Sequence, residues 1–183
     1  HFMPVAEEAK LINRISDQLL TQACNFLLPS IQRGDFTGRM SFNLSITQFI
    51  QADIVSRIDK ILDNCNFPSK HLEIEITESM VMENINQAIE TMEKFKLRNI
   101  HIAIDDFGTG YSSLSYLKKF PIDTLKIDIS FIKDLIHSSE DKKIVTSIIH
   151  LAHNLGLDVV AEGGETLDQV LILKELGCEQ LQG

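Results

Sequence analysis

The sequence has no apolar run approaching the roughly 18 residues that mark a membrane-crossing helix, so no membrane segment is expected in it. Nor does it open on a charged segment followed by an apolar stretch and a cleavage site, so no signal peptide is expected. Cysteine is scarce. Cys24, Cys65 and Cys178 are far apart, odd in number and without metal-ligand spacing, which excludes a disulfide scaffold or a zinc site and suits reduced thiols in a cytoplasmic domain. Positive charge is also short. Lys and Arg number 17 against 26 Asp and Glu, a formal net charge of −9, which disfavours nucleic acid as a partner because an acidic surface repels phosphate backbones. A phosphate substrate then requires local cations to neutralise the carboxylates that meet it. No low-complexity stretch or internal linker is present, and 183 residues suit one domain with a sizeable core.

What the sequence does contain is alternation. Apolar residues Leu11, Ile12, Ile15, Leu19, Ala23, Phe26 and Leu27 predict a helix over 5–28, with Pro29, Gly34 and Gly38 marking the loop after it. Met40, Phe42 and Leu44 then alternate with polar neighbours as in a strand, and a helix is predicted at about 48–64. Further strands are predicted at 71–76, 100–105, 123–128, 157–161 and 179–182, separated by helices at about 84–97, 112–119, 140–155 and 166–176. Such alternation implies a parallel sheet, either open and doubly wound or closed into a barrel.

Strand parity favours the barrel. Leu72, Ile74 and Ile76 oppose Glu73 and Glu75; Ile100, Ile102 and Ile104 oppose His101, Ala103 and Asp105; Leu125 and Ile127 oppose Thr124, Lys126 and Asp128. One face is aliphatic and suits packing on helices. The other is too polar for a sheet covered on both sides but suits a barrel interior that opens to a mouth. The strands also end in polar residues: Asn43, Glu75, Asp105 with Asp106, Lys126 and Glu162. Barrel enzymes carry their active sites at that end.

Carboxylates crowded on one rim repel one another unless a cation neutralises them, and hard cations such as Mg²⁺ or Mn²⁺ suit oxygen ligands. Adjacent aspartates can bridge two ions, and two ions about 3.5–4 Å apart can clamp the attacking and leaving oxygens of a phosphodiester. Lys126 then suits holding a water or stabilising phosphate charge, and Glu162 suits taking a proton from that water. Each residue also has a purely structural reading. Asp105–Asp106 before Phe107–Gly108 suits an ordinary turn; Glu78 with Thr77 suits a cap; Asn43 suits satisfying backbone groups; Glu162 and Glu165 suit the positive end of a helix. His101 is expected to fill the barrel interior rather than bind metal, and the remaining histidines have no ligand spacing. Cys178 is expected in the core and the run 138–143 in a solvated loop and helix start.

The segment Asp-Asp-Phe-Gly-Thr-Gly-Tyr-Ser-Ser-Leu at 105–114 closely resembles the signature loop of EAL-domain cyclic di-GMP phosphodiesterases. The motifs FMPVAEE at 2–8, FNLS at 42–45, EITES at 75–79, LKIDISF at 125–131, AEGGET at 161–166 and LQG at 181–183 resemble that family in order and spacing. The resemblance covers 1–183, read as one partial EAL phosphodiesterase domain. It implies a modified TIM-type (β/α)₈ barrel that hydrolyses cyclic di-GMP to linear pGpG with two Mg²⁺ or Mn²⁺ ions. Carried over by position, Asn43, Glu75 and Asp105 resemble ligands of one ion, and Asp105 and Asp106 ligands around the second. Lys126 resembles the lysine that contacts the catalytic water, and Glu162 the general base or metal-site partner. Glu165, Gln182 and Asp128 resemble positions that support the site and substrate. Glu78 resembles the glutamate anchoring the 105–114 loop, which in the family couples the metal site to homodimerisation.

Two departures matter. The family barrel has two further strands upstream, with a Glu-Ala-Leu motif that supplies another metal ligand and a nearby phosphate-binding arginine; neither is in this sequence, which also stops inside its last strand. Low activity and an incomplete barrel edge are therefore expected of these 183 residues alone. Second, Gly164 stands where the family has valine, which is expected to loosen that turn without removing chemistry. The alternative function is a non-catalytic cyclic di-GMP receptor or regulatory module; degenerate members usually lose metal ligands or the loop, and every ligand position covered here is intact. A purely structural barrel leaves the clustered carboxylates unexplained. The resemblance also implies a cytoplasmic domain, in a parent compatible with membrane anchoring and with sensory or diguanylate-cyclase-like partner domains.

Overall fold

A computed structural model describes residues 11–110 and 114–183. The motif at 2–8, the predicted start of the first helix and Tyr111–Ser113 of the signature loop lie outside them. Helix α1 spans Ile12–Arg33, strand β1 Met40–Asn43, α2 Ile46–Phe49, α3 Ile54–Cys65 and β2 Leu72–Thr77. Then follow α4 (Glu78–Glu83), α5 (Ile85–Leu97), β3 (His101–Phe107), α6 (Leu114–Leu117), β4 (Thr124–Ile127) and α7 (Ile129–Lys133). Helix α8 (Ser139–Asn154), β5 (Asp158–Glu162), α9 (Leu167–Glu175) and β6 (Gln180–Gln182) complete the described elements.

All six strands are parallel and lie in sequence order from β1 to β6. A doubly wound sheet reverses its strand order at a switch point. This sheet winds in one direction throughout, so the fold is α/β and of the barrel type, with β1 and β6 as its two edges. The aliphatic face predicted from parity is the core: Leu72, Ile74, Ile76, Ile102, Ile104, Leu125 and Ile127 are almost wholly buried. Burying each such side chain contributes about 1.5–3 kcal/mol, which fixes the strand registers, since a slip of one residue turns this face outward. The opposite face buries Glu73, Glu75, Thr124 and Lys126. Glu73 accepts hydrogen bonds from Ser41 Oγ (3.0 Å) and Thr124 Oγ1 (3.1 Å) and pairs with Arg39, so its buried carboxylate is satisfied.

Several local expectations change. Helix α1 runs through Pro29, which costs it one backbone hydrogen bond, and stops at Gly34, whose N–H bonds to Ile31 O at 3.0 Å. The predicted helix at 48–64 is two helices, because Ser45 and Gln48 form a capping box for the four-residue α2 and the chain restarts at Ile54. Helices α4 and α7, each only five or six residues long, were too short for a periodicity to be visible. His101 is half-buried among Arg39, Asp123, Lys96 and Glu73 at the foot of β3, far along the strand from Asp105, as expected of an interior-filling residue. Cys178, expected in the core, is partly buried and packs against it from the turn before β6.

Candidate metal and phosphodiester site

Regular strands turn successive side chains to opposite faces, so Asp105 and Asp106 cannot both face one rim from an unbroken β3. The β3–β4 register resolves this. Ile104 pairs with Leu125 and Phe107 with Ile127, so two residues, Asp105 and Asp106, stand opposite Lys126 alone. This is a β-bulge. Asp106 takes φ 55°, a left-handed conformation that aspartate tolerates better than most residues. The bulge brings both carboxylates to the rim and returns Phe107 to the buried face.

On this rim, one carboxylate oxygen each from Asp105, Asp106 and Glu162 lies within 4.8 Å of the others. Lys126 sits beneath them. Its Nζ is 2.7 Å from Glu162 Oε1, 3.0 Å from Glu75 Oε1 and 3.3 Å from Asp105 Oδ1. The side-chain exposures are 3% for Lys126 and Glu75, 13% for Asp105 and 20% for Glu162, so the cluster grades from dry interior to open mouth. Burial acts to lower the Lys126 pKa, but hydrogen bonds to Glu162 and Glu75 and the charges of Glu75 and Asp105 outweigh it and hold the ammonium above the ordinary lysine value. Asp106 is pushed above the usual carboxylate range, first by burial and then by the charges of Asp105, Asp128 and Glu162. Asp128 is held below it: burial acts upward, but the Ser130 hydroxyl and N–H, the Asp106 carboxyl and Lys133 prevail. Asp128 Oδ1 accepts the Ser130 N–H at 2.8 Å, and the Asp106 and Asp128 carboxyls are within hydrogen-bonding reach of each other.

Each residue expected from sequence has a definite place. Asn43 is exposed at the end of β1, in register with Glu75. Glu75 is turned to Lys126 and is not among the three converging carboxylates. Gln182 is exposed on β6, in register with Glu162. Glu78 is buried and accepts the Gly108 N–H on Oε2 at 3.2 Å, reaching the loop after β3. Glu165 points to solvent, and among the described residues its side chain forms no ion pair. Its backbone N–H is bound by Gln169 Oε1 at 3.1 Å. Gln169 was missed, although the Thr166–Gln169 spacing of a capping box marks it in the sequence.

The donor set is oxygen-rich and carboxylate-dominated, with one carboxyl destabilised as an anion by its neighbours. That chemistry fits a hard divalent cation better than any organic group. The surface depressions on the outer helices, such as one of about 320 Å³ lined by Phe49, Met80, Glu83 and Gln87, do not touch this cluster. We place the site at the rim because charge convergence, not concavity, distinguishes it.

The EAL domain family model matches residues 1–183. The chain is 40% identical over 182 residues to the bifunctional diguanylate cyclase/cyclic di-GMP phosphodiesterase MucR of Pseudomonas aeruginosa, covering 100% of this chain and 27% of that protein. It is 38% identical over 182 residues to the cyclic di-GMP phosphodiesterase NbdA of the same organism, covering 100% and 23%. The chain thus spans about a quarter of the length of these curated relatives. Among solved structures, the PaMucR phosphodiesterase in complex with c-di-GMP superposes with a TM-score of 0.95 at 40% identity, covering 100% of this chain and 74% of that one. The agreement of sequence, strand order and rim places the chain in the EAL domain family.

Proposed function

We propose that this chain carries most of the catalytic rim of a phosphodiesterase that hydrolyses cyclic di-GMP to linear pGpG. The observation that carries the reading is the bulge that turns Asp105 and Asp106 together toward Glu162, over a lysine already held by three carboxylates. The similarity to MucR and NbdA supports the substrate class. Asn43, Glu75, Asp105 and Asp106 would hold two Mg²⁺ or Mn²⁺ ions, which when bound neutralise phosphate charge and lower the pKa of water.

The chain's own groups supply the rest. Lys126 Nζ orients the attacking water from inside the rim, the direction from which its three carboxylate partners hold it. Glu162, the most exposed of those partners, accepts one proton of that water. The water oxygen forms a new bond to phosphorus, one P–O3′ bond breaks, and the leaving 3′ oxygen takes up a proton. Gln182 on β6 and Asp128 at the start of α7 border the site and support substrate and ligand positions; Glu165, pointing to solvent, meets the substrate only from outside the rim. Glu78 anchors the loop beginning at Gly108, through which a homodimer contact would reach Asp105 and Asp106. The domain works in the cytoplasm, in a protein that carries further signalling domains.

Every covered ligand position, Asn43, Glu75, Asp105 and Asp106, carries the residue type that the family motif calls for, which favours catalysis over a receptor role. Turnover of cyclic di-GMP in Mg²⁺ or Mn²⁺ is expected for the full parent domain and is expected to vanish there in Asp105→Asn. Tight binding of cyclic di-GMP without turnover by the unsubstituted parent domain would reverse this conclusion in favour of the receptor.

A further inference from the structure

We propose that the short helix α7, through Phe131 and Ile129, is the spacer that fixes the distance between the Asp105–Asp106 carboxylates and Glu162. This rests on the reading of the rim as a divalent-cation site and adds the residues that set its width.

The two halves of the rim are followed by glycines in left-handed conformations: Gly108 (φ 98°) two residues after Asp106, and Gly163 (φ 79°) directly after Glu162. Both glycines abut α7. A Cβ built on Gly108 would lie 2.9 Å from Phe131 Cε2 and 3.3 Å from its Cζ. A Cβ on Gly163 would overlap Ile129 Cγ1 and Cδ1. The two side chains, two residues apart on a five-residue helix, therefore seat the loop after β3 and the loop after β5 at once. Each loop is also held from its other side. Glu78 Oε2 accepts the Gly108 N–H at 3.2 Å, and Gln182 O accepts the Gly163 N–H at 2.6 Å.

The spacer is itself fixed. Asp128 caps its first turn through Ser130 N, and Ile132 is fully buried. At its end, the buried Gln169 donates from Nε2 to Ile132 O at 2.9 Å and Lys133 O at 3.4 Å. Gln169 Oε1 meanwhile accepts the N–H groups of Glu165 and Thr166, three and four residues after Glu162. Helix α7 is thus tied to the Glu162 loop by packing at one end and hydrogen bonds at the other. Divalent cations such as Mg²⁺ tolerate little error in ligand placement, so a fixed gap between ligand-bearing loops translates into affinity.

The test uses Mn²⁺ alone as probe, with affinity measured calorimetrically on the purified protein, in parallel with thermal unfolding. Phe131→Leu and Ile129→Ala are each expected to weaken Mn²⁺ binding about 10-fold or more, the effect usual for residues that orient metal ligands. Ile149→Val, in a fully buried position of α8, controls for general loss of packing and is expected to bind Mn²⁺ as the unsubstituted protein does. Should Ile129→Ala not fold, Ile129→Val, which trims only Cδ1, is expected to show the same direction of change. Equal Mn²⁺ affinity in the α7 variants and the control overturns the spacer while leaving the metal site standing. Absence of Mn²⁺ binding by the unsubstituted protein overturns both.

Discussion

Lys126 is where the largest electrostatic cost and the largest compensation meet. Its ammonium is almost wholly buried, yet three carboxylates lie within 3.3 Å of it. Removing one partner from a buried charge cluster costs about 3–5 kcal/mol, because the groups left behind have no water to turn to. Lys126→Met is therefore expected to lower unfolding free energy by about 3 kcal/mol in urea titrations done in chelator, the lower end because Asp105 and Glu162 are partly solvated. The same variant is expected to lose at least about 10²-fold in turnover, the minimum usual for removing a group that handles the attacking water. A stability loss well under 1 kcal/mol would mean that the carboxylates, not the lysine, set the balance. His101 shows the converse case at the other end of β3. Burial and Arg39 hold its pKa below the ordinary value of 6.5, against the smaller pull of Asp123, with Lys96 adding to the depression. The folded state then binds fewer protons than the unfolded chain below about pH 6.5, so its stability falls as pH drops through that region. Replacing His101 with Asn is expected to flatten that part of the stability–pH curve, which urea midpoints at pH 5 and pH 7 would reveal; an unchanged slope would assign it to other groups.

Among the elements, β3 best separates what was legible from what was not. The alternation of Ile100, Ile102 and Ile104 with His101, Ala103 and Asp105 announced a strand with an aliphatic and a polar face, and that is how it packs. Asp106 was expected on the rim beside Asp105, although the same alternation, in an unbroken strand, turns it away. Only the pairing of Phe107 with Ile127 shows the extra residue that turns it back, and pairing between strands is a tertiary fact that a local pattern does not contain. Likewise α7 left no periodicity to read, and its importance lies in what Phe131 and Ile129 touch across the fold rather than in its own sequence. The turn after β5 was half legible. Gly164 was expected to loosen it, and the backbone there has no positive φ that would demand glycine. A Cβ at Gly164 meets nothing nearer than Leu181 Cδ2 at 3.7 Å, an ordinary contact. Gly164→Val is thus expected to stabilise the protein by about 0.5 kcal/mol, by narrowing the unfolded ensemble and covering the exposed Leu181, with turnover unchanged. A lower urea midpoint in this variant would mean that the turn uses glycine's freedom in a conformation other than the one described.

At the scale of the whole molecule, the sequential strand order decides where the charge goes. Because β1 to β6 follow one another without a switch point, one sheet face is covered by helices and the other becomes an interior. The polar residues of consecutive strands then stack there instead of scattering over both faces. A chain with a net charge of −9 has thus gathered Glu75, Asp105, Asp106 and Glu162 at one end, with a single buried lysine between them. One cation cannot neutralise four carboxylates, and that imbalance adds to burial in pushing Asp106 above the usual carboxylate range. A divalent cation that binds the folded rim but not the unfolded chain must stabilise the fold by mass action, by about 2.7 kcal/mol at a concentration of 100 Kd. The melting temperature is accordingly expected to rise with Mn²⁺ and to return on adding chelator. The rise is expected to be much smaller in Asp106→Asn, which keeps the size of the side chain but removes its charge. Calcium at the same concentration should raise it less if the rim is narrow, since Ca²⁺ seeks more ligands at longer distances than this cluster offers. Equal shifts for Mn²⁺, Ca²⁺ and the Asp106→Asn variant would reduce the effect to nonspecific screening of an acidic surface, which depends on net charge and not on how β3 is bent.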